Sequence, residues 1–111
     1  MSNTPDRVLN ALGLAKRAGK VTLGTEQVQD AVRSGKAQIV IAATDISENS
    51  RKKLRNTCTH YGTELIEYST MELLSMALGQ KKFVSSVAVT DLNFKILIKK
   101  QFAAAAGTEN D

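Results

Sequence analysis

The apolar segment 39–43, IVIAA, limits the fold of this chain more than any other feature. It shows no alternation of polar and apolar residues, so it predicts a strand whose two faces are both covered by helices. A predicted helix precedes it, opening at Gly24 and Thr25 and carrying Val28 and Val32 at helical spacing. A buried strand next to a helix with a polar start predicts a rigid scaffold beside a binding surface.

The remaining pattern continues this alternation along the whole chain. Helices are predicted to begin near Pro5, Thr25, Ser47, Thr70 and Asp91, and strands are predicted at 20–23, 39–43, 64–68 and 86–90. Strict alternation of helices and strands predicts a three-layer α/β/α sandwich with a largely parallel or mixed sheet. No linker or repeat divides the chain, so we expect one domain over residues 1–106 and a disordered tail at 107–111.

Capping patterns predict where these helices start, and apolar spacing predicts which of their faces are buried. Two segments, 45–48 and 69–72, have a capping-box pattern, and Thr25 is expected to cap its helix with its hydroxyl. The predicted inward-facing side chains of the last three helices are Leu54, Cys58 and Tyr61, then Leu73, Leu74, Ala77 and Leu78, then Phe94, Leu97, Ile98 and Phe102.

Charge favours a polyanionic partner. The chain has 15 Lys and Arg against 11 Asp and Glu, a formal net charge of +4 and a pI near 9.4. Such a balance favours RNA or DNA as a partner, although many basic proteins bind neither. With one cysteine, no apolar run long enough for a membrane span and no signal peptide, we expect a cytoplasmic protein with no membrane partner.

The sequence assembles no catalytic or metal-binding constellation. Cys58 and His60 are two residues apart on a predicted helix, so they point to different sides and cannot share a metal ion. Cys58 is expected to be a small core residue, and His60 to lie near an exposed helix end. We therefore expect no enzyme activity, no metal and no cofactor.

The start of the helix at Gly24 is the strongest candidate for a binding site. A helix N-terminus offers unpaired N–H groups and partial positive charge, and Gln27 carries both a donor and an acceptor for a base edge. In a three-layer sandwich, the loop 80–85 before the last strand is placed to lie beside this helix start. The alternative is purely structural, because Gly-Thr commonly opens helices and Glu26 complements the helix dipole.

The sequence also resembles a known family. The segment LGLAKRAGKVTLGTEQVQDAVRSGKAQIVIAATD, followed later by ELLSMALG and SSVAVTD, resembles the L7Ae/L30e superfamily of kink-turn-binding ribosomal proteins, and is most similar to its stand-alone bacterial members. The resemblance covers about residues 8–91 and implies an α/β/α sandwich with a four-stranded mixed sheet. It also implies an RNA site at the start of the second helix and in the loop before the last strand.

The resemblance, together with the positions of the lysines, gives a set of expected RNA-binding residues. The family's helix pattern Gly-Thr-Asn-Glu-x-x-Lys falls on 24–30 of this chain, with Glu26 in place of asparagine and Asp30 in place of lysine. These two carboxylates repel phosphate while four lysines attract it, so we expect modest, salt-dependent affinity. The expected set is Lys20, Gly24, Thr25, Glu26, Gln27, Asp30, Lys36, Lys81, Lys82, Phe83 and Val84.

The expected function is non-catalytic binding of a structured RNA, such as ribosomal or kink-turn RNA, with ribosome-associated proteins as further partners. One alternative is a protein–protein adaptor on the translation machinery that uses the polar helix 47–61. Another is kinship to the domains found at the front of RNA-modifying methyltransferases, although this chain has no catalytic half.

Overall fold

The computed structural model describes residues 6–105, so Pro5 and the tail expected at 107–111 lie outside the described residues. Within this range five helices alternate with four strands, as the pattern predicted. The helices are α1 (Arg7–Arg17), α2 (Thr25–Arg33), α3 (Glu48–Tyr61), α4 (Met71–Ala77) and α5 (Leu92–Ala105). The strands are β1 (Val21–Leu23), β2 (Ile39–Ala42), β3 (Glu64–Glu67) and β4 (Ser86–Val89).

The four strands form one mixed sheet in the order β1-β4-β2-β3. Strand β4 is antiparallel to both β1 and β2, and β2 is parallel to β3. Consequently β1, β2 and β3 end at the same edge of the sheet, where β4 begins at Ser86. We call this edge the rim, and we call the opposite edge, where β4 ends at Val89, the basal end.

Helices cover both faces of the sheet. Helix α2 packs against α3, while α1 packs against α5 and α4. The expected central strand is confirmed, because all four residues of β2 are buried, as are all four of β4. Leu12, Leu54, Leu74 and Ile98 extend this core from four different helices. No helix in residues 6–105 is long and apolar enough to cross a lipid bilayer.

Two side chains that the apolar pattern placed in the core are exposed instead. Leu73 is 48% exposed, because the buried face of α4 passes through Leu74, Ser75 and Leu78, and Leu73 lies to one side of it. Tyr61 is 49% exposed at the last residue of α3, where its ring packs edge-on against His60.

Several predicted helix caps are displaced along the chain. Ser47, not Asp45, caps α3 by accepting the N–H of Ser50, while Asp45 accepts the N–H of Met71 at the start of α4. Thr70 caps α4. The cap at Asp91 is confirmed, since its carboxylate accepts the N–H of Phe94.

Candidate nucleic-acid interface

Helix α2 begins at the rim and is fixed there by glycine. Gly24 has φ +93°, a backbone conformation that side chains disfavour, and its N–H donates to the Ser86 carbonyl at 3.0 Å. The side chain of Gln27 folds back over this residue, since its Oε1 lies 3.3 Å from where a Cβ on Gly24 would be. The exposed amide of Gln27 is therefore held above the start of α2.

The loop before β4 lies directly beside this helix start, as the sequence predicted. The Thr25 hydroxyl forms a 2.6 Å hydrogen bond with the Ser85 hydroxyl, so Thr25 is bound to the loop and does not cap α2 as expected. One residue earlier in the loop, the N–H of Val84 donates to the hydroxyl of Ser75 on α4 at 2.8 Å. These contacts fix the base of the loop and leave its tip accessible to a ligand.

The tip of this loop combines positive charge with an exposed aromatic ring. Lys81 and Lys82 are exposed, and Phe83 is 63% exposed. Among residues 6–105, neither lysine takes part in an ion pair. Lysines bind phosphate as point charges, and an exposed ring offers a face on which a nucleobase can stack.

Further hydroxyl groups lie at the rim, near the start of α2. The Ala43 N–H donates to the Ser85 carbonyl at 2.9 Å, and Thr44 donates to the Ser69 carbonyl through both its N–H and its hydroxyl. None of these three residues, Ser85, Thr44 and Ser69, was among the expected RNA-binding residues. The signal was weak, because serine and threonine are common in turns and only the sheet order brings these three turns together.

The two carboxylates of the candidate site are each paired with a cation. Glu26 lies 3.8 Å from the Lys53 ammonium, and Asp30 lies 3.1 Å from the Arg33 guanidinium. Lys53 reaches the site because α3 runs alongside α2, where the Gln29 amide donates to the Thr57 hydroxyl at 2.8 Å. These pairs weaken the repulsion of phosphate that Glu26 and Asp30 were expected to cause. Lys53 was not among the expected site residues, because only the packing of α3 against α2 brings it there.

The expected convergence of all four lysines on one surface is wrong for Lys20 and Lys36. The Lys20 carbonyl accepts the N–H of Thr90, and Lys36 lies just before Gln38, whose N–H donates to Val89. Both lysines therefore lie at the basal end, whereas Lys81 and Lys82 lie at the rim. The physical reason is that β1 and α2 each run from one edge of the sheet to the other.

The fold also explains the environments of Cys58, His60 and Tyr68. Cys58 is buried as expected and burial raises the pKa of its thiol to about 11, whereas His60 is exposed. Burial, together with a hydrogen bond to Asp6, raises the pKa of Tyr68 to about 12. The described part of the chain contains no group of three or more His, Cys, Asp or Glu side chains that could hold a metal ion.

A mixed four-stranded α/β/α sandwich with this rim defines a recognisable class of protein. The family model for the ribosomal protein L7Ae/L30e/S12e/Gadd45 family matches residues 6–98, so the chain belongs to that family. The resemblance seen in the sequence is thereby confirmed.

Similar proteins from two bacteria support this assignment. The chain is 32% identical to the RNA-binding protein YlxQ of Enterococcus faecium, over 73% of this chain and 79% of that protein. It is 35% identical to the RNA-binding protein YlxQ of Bacillus subtilis, over 75% of this chain and 82% of that protein. The expected similarity to stand-alone bacterial members is thus confirmed.

Solved structures share the same fold. A protein of unknown function from Bacillus halodurans C superposes with a TM-score of 0.82 at 29% identity, covering 87% of this chain and 97% of that chain. The 15.5kD RNA binding protein of Giardia lamblia superposes with a TM-score of 0.74, covering 96% and 92% of the two chains. At 15% identity, the second likeness concerns the fold alone.

Proposed function

We propose that this protein is a non-catalytic RNA-binding protein that holds a structured RNA at the rim. The observation that carries the proposal is the joining of the start of α2 to the loop 80–85 through Thr25 and Ser85. The proposal is supported by the position of Gln27 in the first turn of α2 and of Lys81, Lys82 and Phe83 in the adjoining loop. The names of the YlxQ relatives as RNA-binding proteins support the same reading.

The groups at the rim fit three parts of a folded RNA. Lys81 and Lys82 neutralise phosphates, and Phe83 provides a stacking surface for an unpaired base. Gln27 hydrogen-bonds to a base edge, while the hydroxyls of Thr44 and Ser85 suit ribose or phosphate oxygens. Because unpaired and splayed bases occur at bends and bulges, we propose a kink-turn or a similarly bent RNA as the ligand.

The test is a gel-shift titration of a kink-turn RNA with the wild type and with the variant Lys81→Glu/Lys82→Glu. Since two phosphate contacts become repulsive, we expect affinity to fall by about tenfold or more. The matched control is Lys99→Glu/Lys100→Glu, which makes the same charge change on adjacent lysines of α5. Its one described ion pair, between Lys99 and Glu64, is on the surface and is worth little.

Equal affinity of the wild type and the Lys81→Glu/Lys82→Glu variant for the RNA would show that the loop is not part of the interface. If the protein also bound a ribosome-associated protein with unchanged affinity after this substitution, the adaptor role would be favoured over RNA binding. A similar loss in the control variant would show that binding does not depend on the loop in particular.

A further inference from the structure

The basal end carries a groove that the proposed kink-turn site does not use. Its walls are formed by the ends of α2 and α3 and by the first turns of α5. Residues along the groove include Arg33, Gly35, Gln38, Tyr61, Glu64 and Lys95. Lys36 lies between two residues that line the groove, Gly35 and Ala37, and is itself exposed.

Positive charge predominates around this groove. Within residues 6–105, Lys36 and Lys95 take part in no ion pair, and the pair of Arg33 with Asp30 is on the surface, where such a pair is worth little. The carboxylates at this end are already engaged, since Glu64 pairs with Lys99 at 2.9 Å and Asp91 accepts the N–H of Phe94.

An exposed aromatic ring lies on the same groove. Tyr61 is 49% exposed, and its ring contacts His60 edge-on with centroids 4.8 Å apart. Tyr61 is the last residue of α3, and Gly62, with φ +71°, caps the helix directly after it. Cations bordering a groove with an exposed aromatic ring are the combination that binds single-stranded RNA, through phosphates and stacked bases.

We infer that the basal groove is a second RNA site that takes a single strand, with one base stacked on Tyr61 and the phosphates near Arg33, Lys36 and Lys95. The inference rests on the proposed function, because it takes RNA as the ligand of the protein. It assigns the two ends different tasks. The rim recognises a bent RNA, and the basal groove holds an unpaired flanking strand without reading its sequence.

The test measures fluorescence anisotropy of a labelled ten-residue oligouridylate, in which there is no kink to occupy the rim. We expect Tyr61→Ala to weaken binding by about tenfold, as the loss of one stacked base predicts, and Tyr61→Phe to retain it. For Lys36→Gln/Lys95→Gln, the slope of log affinity against log salt should fall by about 1.4, from two lost phosphate contacts. These lysine variants remove no side chain of the buried core, so they test the site even if Tyr61→Ala unfolds.

The matched control is Lys52→Gln/Lys100→Gln, which removes the same charge from exposed lysines outside both proposed sites and should bind the oligouridylate like the wild type. Wild-type affinity in both the Tyr61→Ala and the lysine variants would overturn the basal site. So would equal or tighter binding of polyglutamate, which would indicate a general anion surface or an acidic protein partner. The kink-turn titration remains independent, because its outcome depends on the loop at 81–82 and is unaffected by loss of the basal site.

Discussion

At the scale of single residues, Gln27 is the side chain placed to distinguish one RNA from another. The side chain is exposed and its Oε1 lies close to Gly24 at the start of α2, so its amide offers both a donor and an acceptor near the rim. The lysines nearby add affinity without reading bases, because they contact phosphates that every RNA carries. Specificity and affinity are therefore assigned to different residues.

Substitution Gln27→Ala should reduce discrimination between a matched and a mismatched kink-turn RNA by ~1–3 kcal/mol, since a base-edge contact is lost. Parallel gel-shift titrations of both RNAs measure this difference. Asn93→Ala, which removes an exposed amide in the first turn of α5, serves as the control and should leave discrimination intact. Unaltered discrimination in Gln27→Ala would assign this residue a structural role only.

Cys58 gives the fold a defined response to alkali. Burial raises the pKa of its thiol from 9.0 to about 11, so between these values the unfolded chain loses a proton that the folded chain keeps. The contribution of the thiol to stability is complete below pH 9 and is lost as pH rises toward 11.

Urea unfolding at pH 8, 9 and 10 should therefore show a decline in the free energy of unfolding above pH 9, and the decline should be smaller in Cys58→Ala. Tyr68→Phe is the control, because the pKa of Tyr68 rises from 10.0 to about 12 and its effect begins at higher pH. Identical pH profiles of Cys58→Ala and wild type would show that the thiol does not cause the decline in the free energy of unfolding.

At the scale of elements, the contact between α2 and the loop before β4 is the structural basis of the site. The two are joined by the hydrogen bond between the Thr25 and Ser85 hydroxyls and by the backbone bond from Gly24 to Ser86. A helix start and a loop that are 60 residues apart in the chain thus form one surface.

A double-mutant cycle with Thr25→Val and Ser85→Ala should give a coupling free energy of about 0.5–1.5 kcal/mol, the usual net worth of one hydrogen bond. Urea unfolding of the wild type, both single variants and the double variant provides the four values. The pair Thr25→Val and Thr59→Ala, whose second residue is exposed on α3, provides a control expected to be additive. Additive effects of Thr25→Val and Ser85→Ala would contradict the contact.

The elements also show where local patterns stop being informative. The apolar segment 39–43 and the spacing of Leu54 and Cys58 were sufficient to predict a buried strand and a buried helix face. Capping residues were predicted less well, because Asp45 and Ser47 are both good caps and only tertiary contacts select between them. Asp45 caps a different helix, α4, which is 26 residues further along the chain.

At the scale of the whole molecule, sequence predicted the layers but not the distribution of charge. The alternation of helices and strands indicated a three-layer sandwich, and the resemblance indicated a mixed sheet. The order β1-β4-β2-β3 decides which loops meet, and no local pattern encodes it. For this reason Lys20 and Lys36 were expected beside Gln27, and Lys53 was not.

The central claim is that the rim of this sandwich binds a bent RNA. Titration of the isotopically labelled protein with a kink-turn RNA, followed by amide chemical shifts, tests it most directly. We predict that the largest shift changes fall on residues 24–27, 43–44 and 80–86, with smaller changes along α5. Changes confined to α5, or the absence of changes at 24–27 and 80–86 under saturating RNA, would contradict the claim.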